Sequence, residues 1–83
     1  MEGSAMKLYN MWLCPYCRKV RKELRRLGIE HETVWVSFHP SRWREVEELS
    51  GKAMVPLLVD GEKVINESED ICEYLRNNYG KAS

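Results

Sequence analysis

The sequence predicts an α/β fold, a four-stranded mixed sheet in β-α-β-α-β-β-α order with helices on both faces. Two observations carry it. The apolar positions Cys17, Val20, Leu24 and Leu27 recur at helical spacing between two strand-like segments, which makes a β-α-β unit with parallel strands and a right-handed crossover. Downstream, Asp60-Gly61 separates Leu57-Leu58-Val59 from Lys63-Val64-Ile65, a strong hairpin signal.

Each element has its own local reason. Lys7 to Trp12 is mostly strand-compatible and ends just before Cys14. Pro15 suits the first helical position, where a missing N–H is no loss, and Gly28 suits the left-handed residue that stops the helix at Leu27. Thr33-Val34-Trp35-Val36 is β-branched and aromatic and reads as the second strand. Ser41 is expected to cap a second helix with an inner stripe of Trp43, Val46 and Leu49, ending at Gly51. A last helix starts near Ser68, with Glu69 and Asp70 in its first turn, where the helix dipole favours negative charge. Its apolar side is Ile71, Cys72, Leu75 and Tyr79, and Gly80 ends it. Residues 6–80 are thus expected to form the domain, with 1–5 a leader outside the fold and 81–83 a tail.

Composition bounds the function. With 83 residues the expectation is one domain, without a second helical domain to form a roomy cleft. Hydrophobic residues at 43% and charged residues at 31% are globular proportions, and no apolar run is long enough to span a membrane. The formal charge is zero, which argues against a dedicated nucleic-acid binder. That balance hides an asymmetry: residues 1–44 hold nine Lys/Arg and four Asp/Glu, and residues 45–83 hold four and nine. Six of the basic residues crowd one segment, Arg18, Lys19, Arg21, Lys22, Arg25 and Arg26, as either a solvated helix face or a positive field beside a reactive group.

Three cysteines, two of them as Cys14-Pro15-Tyr16-Cys17, do not make a secreted disulfide framework, and a reducing, cytoplasmic setting is expected. With Pro15 as the first helical residue, Cys14 is the N-cap and faces the unpaired N–H groups of Tyr16 and Cys17. A thiolate there is stabilised by those N–H groups, by the helix dipole and by Arg18, which marks Cys14 as a nucleophile. Cys17, one turn on, is placed to resolve a mixed disulfide. Two other roles stay open: half of a zinc site, for which only Cys72, His31 and His39 remain as partners, and a structural thiol pair. Cys72 falls on the core face of the last helix, and His31 and His39 read as surface residues.

These residues resemble a dithiol glutaredoxin of the thioredoxin fold. Cys14-Pro15-Tyr16-Cys17 is similar to that family's active site, and Val55-Pro56 to its cis-proline loop, over about Met6 to Gly80. The stretch from Val55 to Gly61, with Glu67-Ser68 and Tyr74-Leu75, is also similar to the N-terminal domain of glutathione transferases. The resemblance implies thiol–disulfide exchange with glutathione as co-substrate and no metal or organic cofactor. Cys14 would attack a protein disulfide or a glutathione mixed disulfide, with Cys17 resolving the former. Tyr16, Val55, Pro56, Glu67, Ser68 and Arg42 would bind glutathione: Val55 through its backbone, Glu67-Ser68 at the γ-glutamyl end, Arg42 at the glycine carboxylate. The implied partners are glutathione and disulfide-bearing or glutathionylated proteins, acting on a monomer. This chain has Met11 where glutaredoxins usually have Lys, Met54 where they commonly have Thr, and Glu67-Ser68 in place of paired glycines. Two alternatives accompany this implication, a thioredoxin-like reductant driven by thioredoxin reductase and a metal or iron–sulfur binding protein.

Overall fold

The computed structural model describes residues 6–80; the expected leader 1–5 and tail 81–83 lie outside the described residues. The elements follow the expected order: β1 (Met6–Asn10), α1 (Pro15–Leu27), β2 (Glu32–Trp35), α2 (Pro40–Ser50), β3 (Leu57–Asp60), β4 (Lys63–Ile65) and α3 (Ser68–Tyr79). The sheet order is β2-β1-β3-β4, with β1 and β2 parallel and the other two pairs antiparallel.

Strand alternation sends neighbouring residues to opposite faces. Met6 and Leu8 of β1 and Leu58 of β3 pack with Val20 and Leu24 of α1 and Ile71, Cys72 and Leu75 of α3. On the other face, Tyr9 and Leu57 pack with Val36 and with Val46 of α2. The sheet is therefore sandwiched, and β1, in the middle, is buried from both sides. The Tyr9 hydroxyl reaches past this second cluster and donates to Glu45 Oε2 at 2.9 Å. Burial, reinforced by that carboxylate, pushes the phenol up to about 12.

Three local expectations are corrected. Helix α2 begins at Pro40, so His39 rather than Ser41 is its N-cap, and no side chain caps it. The proline preorganises the first turn two residues earlier than the serine signal suggested. Helix α3 starts at Ser68 as expected, with Glu67 as its N-cap and no side-chain oxygen bonding that helix start. Strand β1 stops at Asn10, short of Trp12, whose ring stacks on Trp35 with centroids 4.7 Å apart. Leu49 and Tyr79 are exposed rather than buried. Tyr79 acts through its hydroxyl instead: it and Tyr74 both donate to Asp60 Oδ2, at 2.6 and 2.7 Å, tying α3 to the end of β3.

Gly28 ends α1 as expected, at φ 67°, with its N–H returning to the carbonyls of Arg25 and Leu24. That stop lets the chain reverse into β2, parallel to β1, while at the other end of α1 Cys14 sits where β1 leads into the helix.

Candidate active site

Cys14 is the N-cap of α1 and has an extended backbone; Pro15 follows at the first helical position. Its Sγ accepts a hydrogen bond from the Cys17 N–H at 3.4 Å, and its carbonyl accepts from Arg18 N at 3.0 Å. The sulfur is thus held at the positive end of the helix, and the residue is partly exposed. Cys17 is wholly buried, and its Sγ accepts from Met11 N at 3.4 Å. Burial above all, then the neighbouring Cys14, pushes the Cys17 thiol up to about 12, against the lowering effect of the Met11 N–H and of Arg21. Cys17 is therefore a protonated thiol at neutral pH. Cys72, on α3, lies in the core, and burial raises its thiol as well.

The loop that delivers Cys14 is fixed from behind. Arg21 Nη1 donates to the Asn10 side-chain oxygen at 2.6 Å and to the Met11 carbonyl at 3.0 Å. Asn10, buried, donates in turn to Val34 O at 3.3 Å. One guanidinium thereby joins α1, the end of β1 and, through Asn10, β2. It also lies 5.9 Å from the Trp12 ring and 5.2 Å from the Trp35 ring.

Beside the helix start is a small cleft of about 240 Å³. Five of the residues expected to bind glutathione line it together: Tyr16, Val55, Pro56, Glu67 and Ser68. The Val55-Pro56 bond is cis, as the family loop implies. Among the described residues no hydrogen bond engages the backbone of Val55, so it is open to an added strand. Arg42 does not join them: its guanidinium donates to Trp35 O at 2.8 Å, and Arg42 is not among the residues lining the cleft. Cys14 lines an adjoining cleft with Trp12, Leu13, Pro15 and Arg18. Both clefts therefore flank the first turn of α1.

Sequence reasoning missed Asn66, which also lines this cleft. Its Nδ2 is buried without a hydrogen-bond partner, a donor available to a ligand oxygen. An asparagine just before a helix start carries no distinctive signal, since such residues usually serve turns. Among the described residues no group of three or more His, Cys, Asp or Glu converges as a metal site. His31 and His39 sit far apart in sequence role: His31 is half-buried with Nδ1 3.1 Å from the Ile29 carbonyl, and His39 is exposed.

A family model, the glutathione S-transferase N-terminal domain, matches residues 8–83. The chain belongs to that family. The fold it shares is that of a glutathione S-transferase from the Antarctic clam Laternula elliptica, 33% identical, with a TM-score of 0.83 over 92% of this chain and 36% of that one. The chain spans about a third of the length of the glutathione S-transferases it matches. Glutaredoxins match along most of their own length. That of Neisseria meningitidis is 29% identical over 77% of this chain and 76% of its own. The structure of a glutaredoxin from Archaeoglobus fulgidus is 25% identical, with a TM-score of 0.77 over 88% of this chain and 87% of that one. This member of the transferase N-terminal family thus has the thioredoxin-like fold common to both groups.

Proposed function

We propose that the protein is a glutathione-dependent thiol–disulfide oxidoreductase of glutaredoxin type. The observation that carries it is the asymmetry of the two cysteines: a partly exposed Cys14 whose sulfur accepts from the Cys17 N–H in the first turn of α1, and one turn behind it a buried, protonated Cys17.

In this mechanism the Cys14 thiolate attacks the glutathione sulfur of a protein mixed disulfide. The Cys14–glutathione disulfide forms as the protein thiolate leaves. A second glutathione thiolate then attacks the glutathione sulfur, releasing Cys14 and oxidised glutathione. With a protein disulfide, Cys14 bonds one sulfur and expels the other. Cys17 then loses its proton and attacks Cys14 Sγ, which frees the second protein thiolate and leaves a Cys14–Cys17 disulfide. Two glutathione molecules reduce it. Direct attack by Cys17 on substrate is suppressed by its burial and protonation.

Glutathione fits the Tyr16–Val55–Glu67 cleft by chemistry. The free Val55 backbone suits the cysteinyl peptide, the uncapped N–H groups and the hydroxyl at Ser68 suit a carboxylate, and Glu67 suits the ammonium. Asn66 Nδ2 adds a donor there. Arg42 has no part in this pose.

The test is trapping. Cys17→Ser incubated with oxidised glutathione should accumulate one glutathione per chain, on Cys14, by mass spectrometry with peptide mapping. An adduct on Cys72, or none, would remove Cys14 from its role.

A further inference from the structure

The six basic residues of α1 fall into two groups. Lys19 pairs with Glu69 at 3.1 Å and Arg26 with Glu23 at 2.6 Å. Arg18, Arg21, Lys22 and Arg25 have no carboxylate partner among the described residues. All four line one open cleft of about 440 Å³, whose other walls are Trp12 and Trp35. No acidic residue lines it.

Arg21 is held by Asn10, Met11 and the two rings, so it contributes fixed charge from the floor. Arg18, Lys22 and Arg25, spaced four and three apart, stand in a row on one face of α1 about 10 Å long. The row begins one turn from Cys14, and Trp12 and Arg18 also line the cleft that contains Cys14. The basic cleft and the reactive sulfur therefore share one continuous surface.

We propose that this cleft docks an acidic segment of the protein substrate, the stretch of chain flanking the cysteine that Cys14 attacks. The proposal rests on the thiol–disulfide role of Cys14 and names the substrate class. Four like charges around one cleft repel one another, and acidic side chains relieve that repulsion. An extended peptide advances about 3.3 Å per residue, so three or four residues cover the row. The acidic residues accordingly fall within about four positions of the target cysteine. Trp12, 68% exposed, lines both clefts and Leu13, 92% exposed, lines the one with Cys14; both offer apolar contact to the residues that cross from one cleft to the other. A row of three charges suits a short acidic peptide better than a nucleic-acid backbone, which takes its affinity from a longer track of phosphate contacts.

The test uses two peptides glutathionylated at one cysteine, followed by Asp-Glu-Asp in one and Asn-Gln-Asn in the other. The wild type should show kcat/KM about tenfold higher for the acidic peptide at low ionic strength, and the ratio should fall towards one as salt is raised. The charge-reversed Lys22→Glu/Arg25→Glu variant should abolish or invert the ratio. Equal kcat/KM for both peptides in the wild type overturns the proposal. Fluorescence anisotropy of labelled peptides with serine in place of the cysteine tests docking without the chemistry. The acidic peptide should bind the wild type more tightly than the neutral one and lose that advantage in the double variant. Charge-dependent binding without any disulfide reduction keeps the cleft and removes the role of Cys14; reduction indifferent to flanking charge does the reverse. An oligonucleotide of equal charge that binds more tightly than the acidic peptide also overturns the proposal.

Discussion

Raising the pH should unfold this protein in a way that depends on one buried sulfur. The Cys17 thiol ionises at an ordinary 9.0 when unfolded and at about 12 in the native state, chiefly because the native sulfur is buried. Between those values the unfolded chain has lost the proton and the native chain still holds it. Native stability therefore falls as pH rises, by up to about 1.4 kcal/mol per pH unit. From pH 7.5 to 10.5 the loss from this group alone amounts to about 2 kcal/mol. Tyr9 and Tyr79, each raised from 10.0 to about 12, act in the same direction near the top of that range, and so does Cys72, raised by burial; all three are retained in Cys17→Ala and cancel from the comparison. The assay is urea unfolding at several pH values, under a phosphine reductant, of the wild type and Cys17→Ala. The wild type should lose about 2 kcal/mol more than the variant over the interval, and the gap should open only above about pH 8.5. Parallel curves would refute the burial argument, and with it the claim that Cys17 is a silent thiol until Cys14 has formed a mixed disulfide.

Three further predictions follow from the packing. Brief iodoacetamide treatment of the native reduced protein near pH 7.5 should label Cys14 alone, since Cys17 and Cys72 are buried; peptide mapping reads the site, and comparable labelling of Cys17 would contradict the geometry. Leu24→Ala, at a fully buried α1 position between sheet and α3, should cost about 3 kcal/mol in denaturant unfolding, and a cost below about 1 kcal/mol would mean the core is looser than described. Arg21→Leu should cost about 2 kcal/mol, because it leaves the buried Asn10 oxygen without its donor, and should also change tryptophan fluorescence as the Trp12–Trp35 stack loosens; an unchanged spectrum with unchanged stability would remove Arg21 from its bracing role.

How much of this was legible in the sequence depended on the range of the interaction involved. The β-α-β unit and the hairpin were readable because their signals are local: the Cys17–Val20–Leu24 stripe, Gly28 at its left-handed stop, and Asp60-Gly61 between two short apolar runs. The N-cap position of Cys14 followed from Pro15 for the same reason. The cap of α2 went astray where two local signals competed, Pro40 against Ser41, and the helix began two residues before a Ser41 cap would have started it. The long-range features had no signature. Nothing local announces that Arg21 reaches Asn10, that Trp12 stacks on a residue of β2, or that Tyr74 and Tyr79 share the Asp60 carboxylate. The split of the basic helix face into paired and unpaired charges is of this kind too. The Arg26–Glu23 pair is local to α1, but the pairing of Lys19 depends on Glu69, brought alongside it by the packing of α3 on α1.

The central claim is that Cys14 performs glutathione-dependent exchange while Cys17 is needed only for protein disulfides. The direct measurement is reduction of a small glutathione mixed disulfide, coupled to glutathione reductase, by the wild type, Cys14→Ser and Cys17→Ser. The account predicts activity in the wild type and in Cys17→Ser, and none in Cys14→Ser. Activity that survives in Cys14→Ser, or a wild type inactive with glutathione yet able to reduce protein disulfides through thioredoxin reductase, would contradict it.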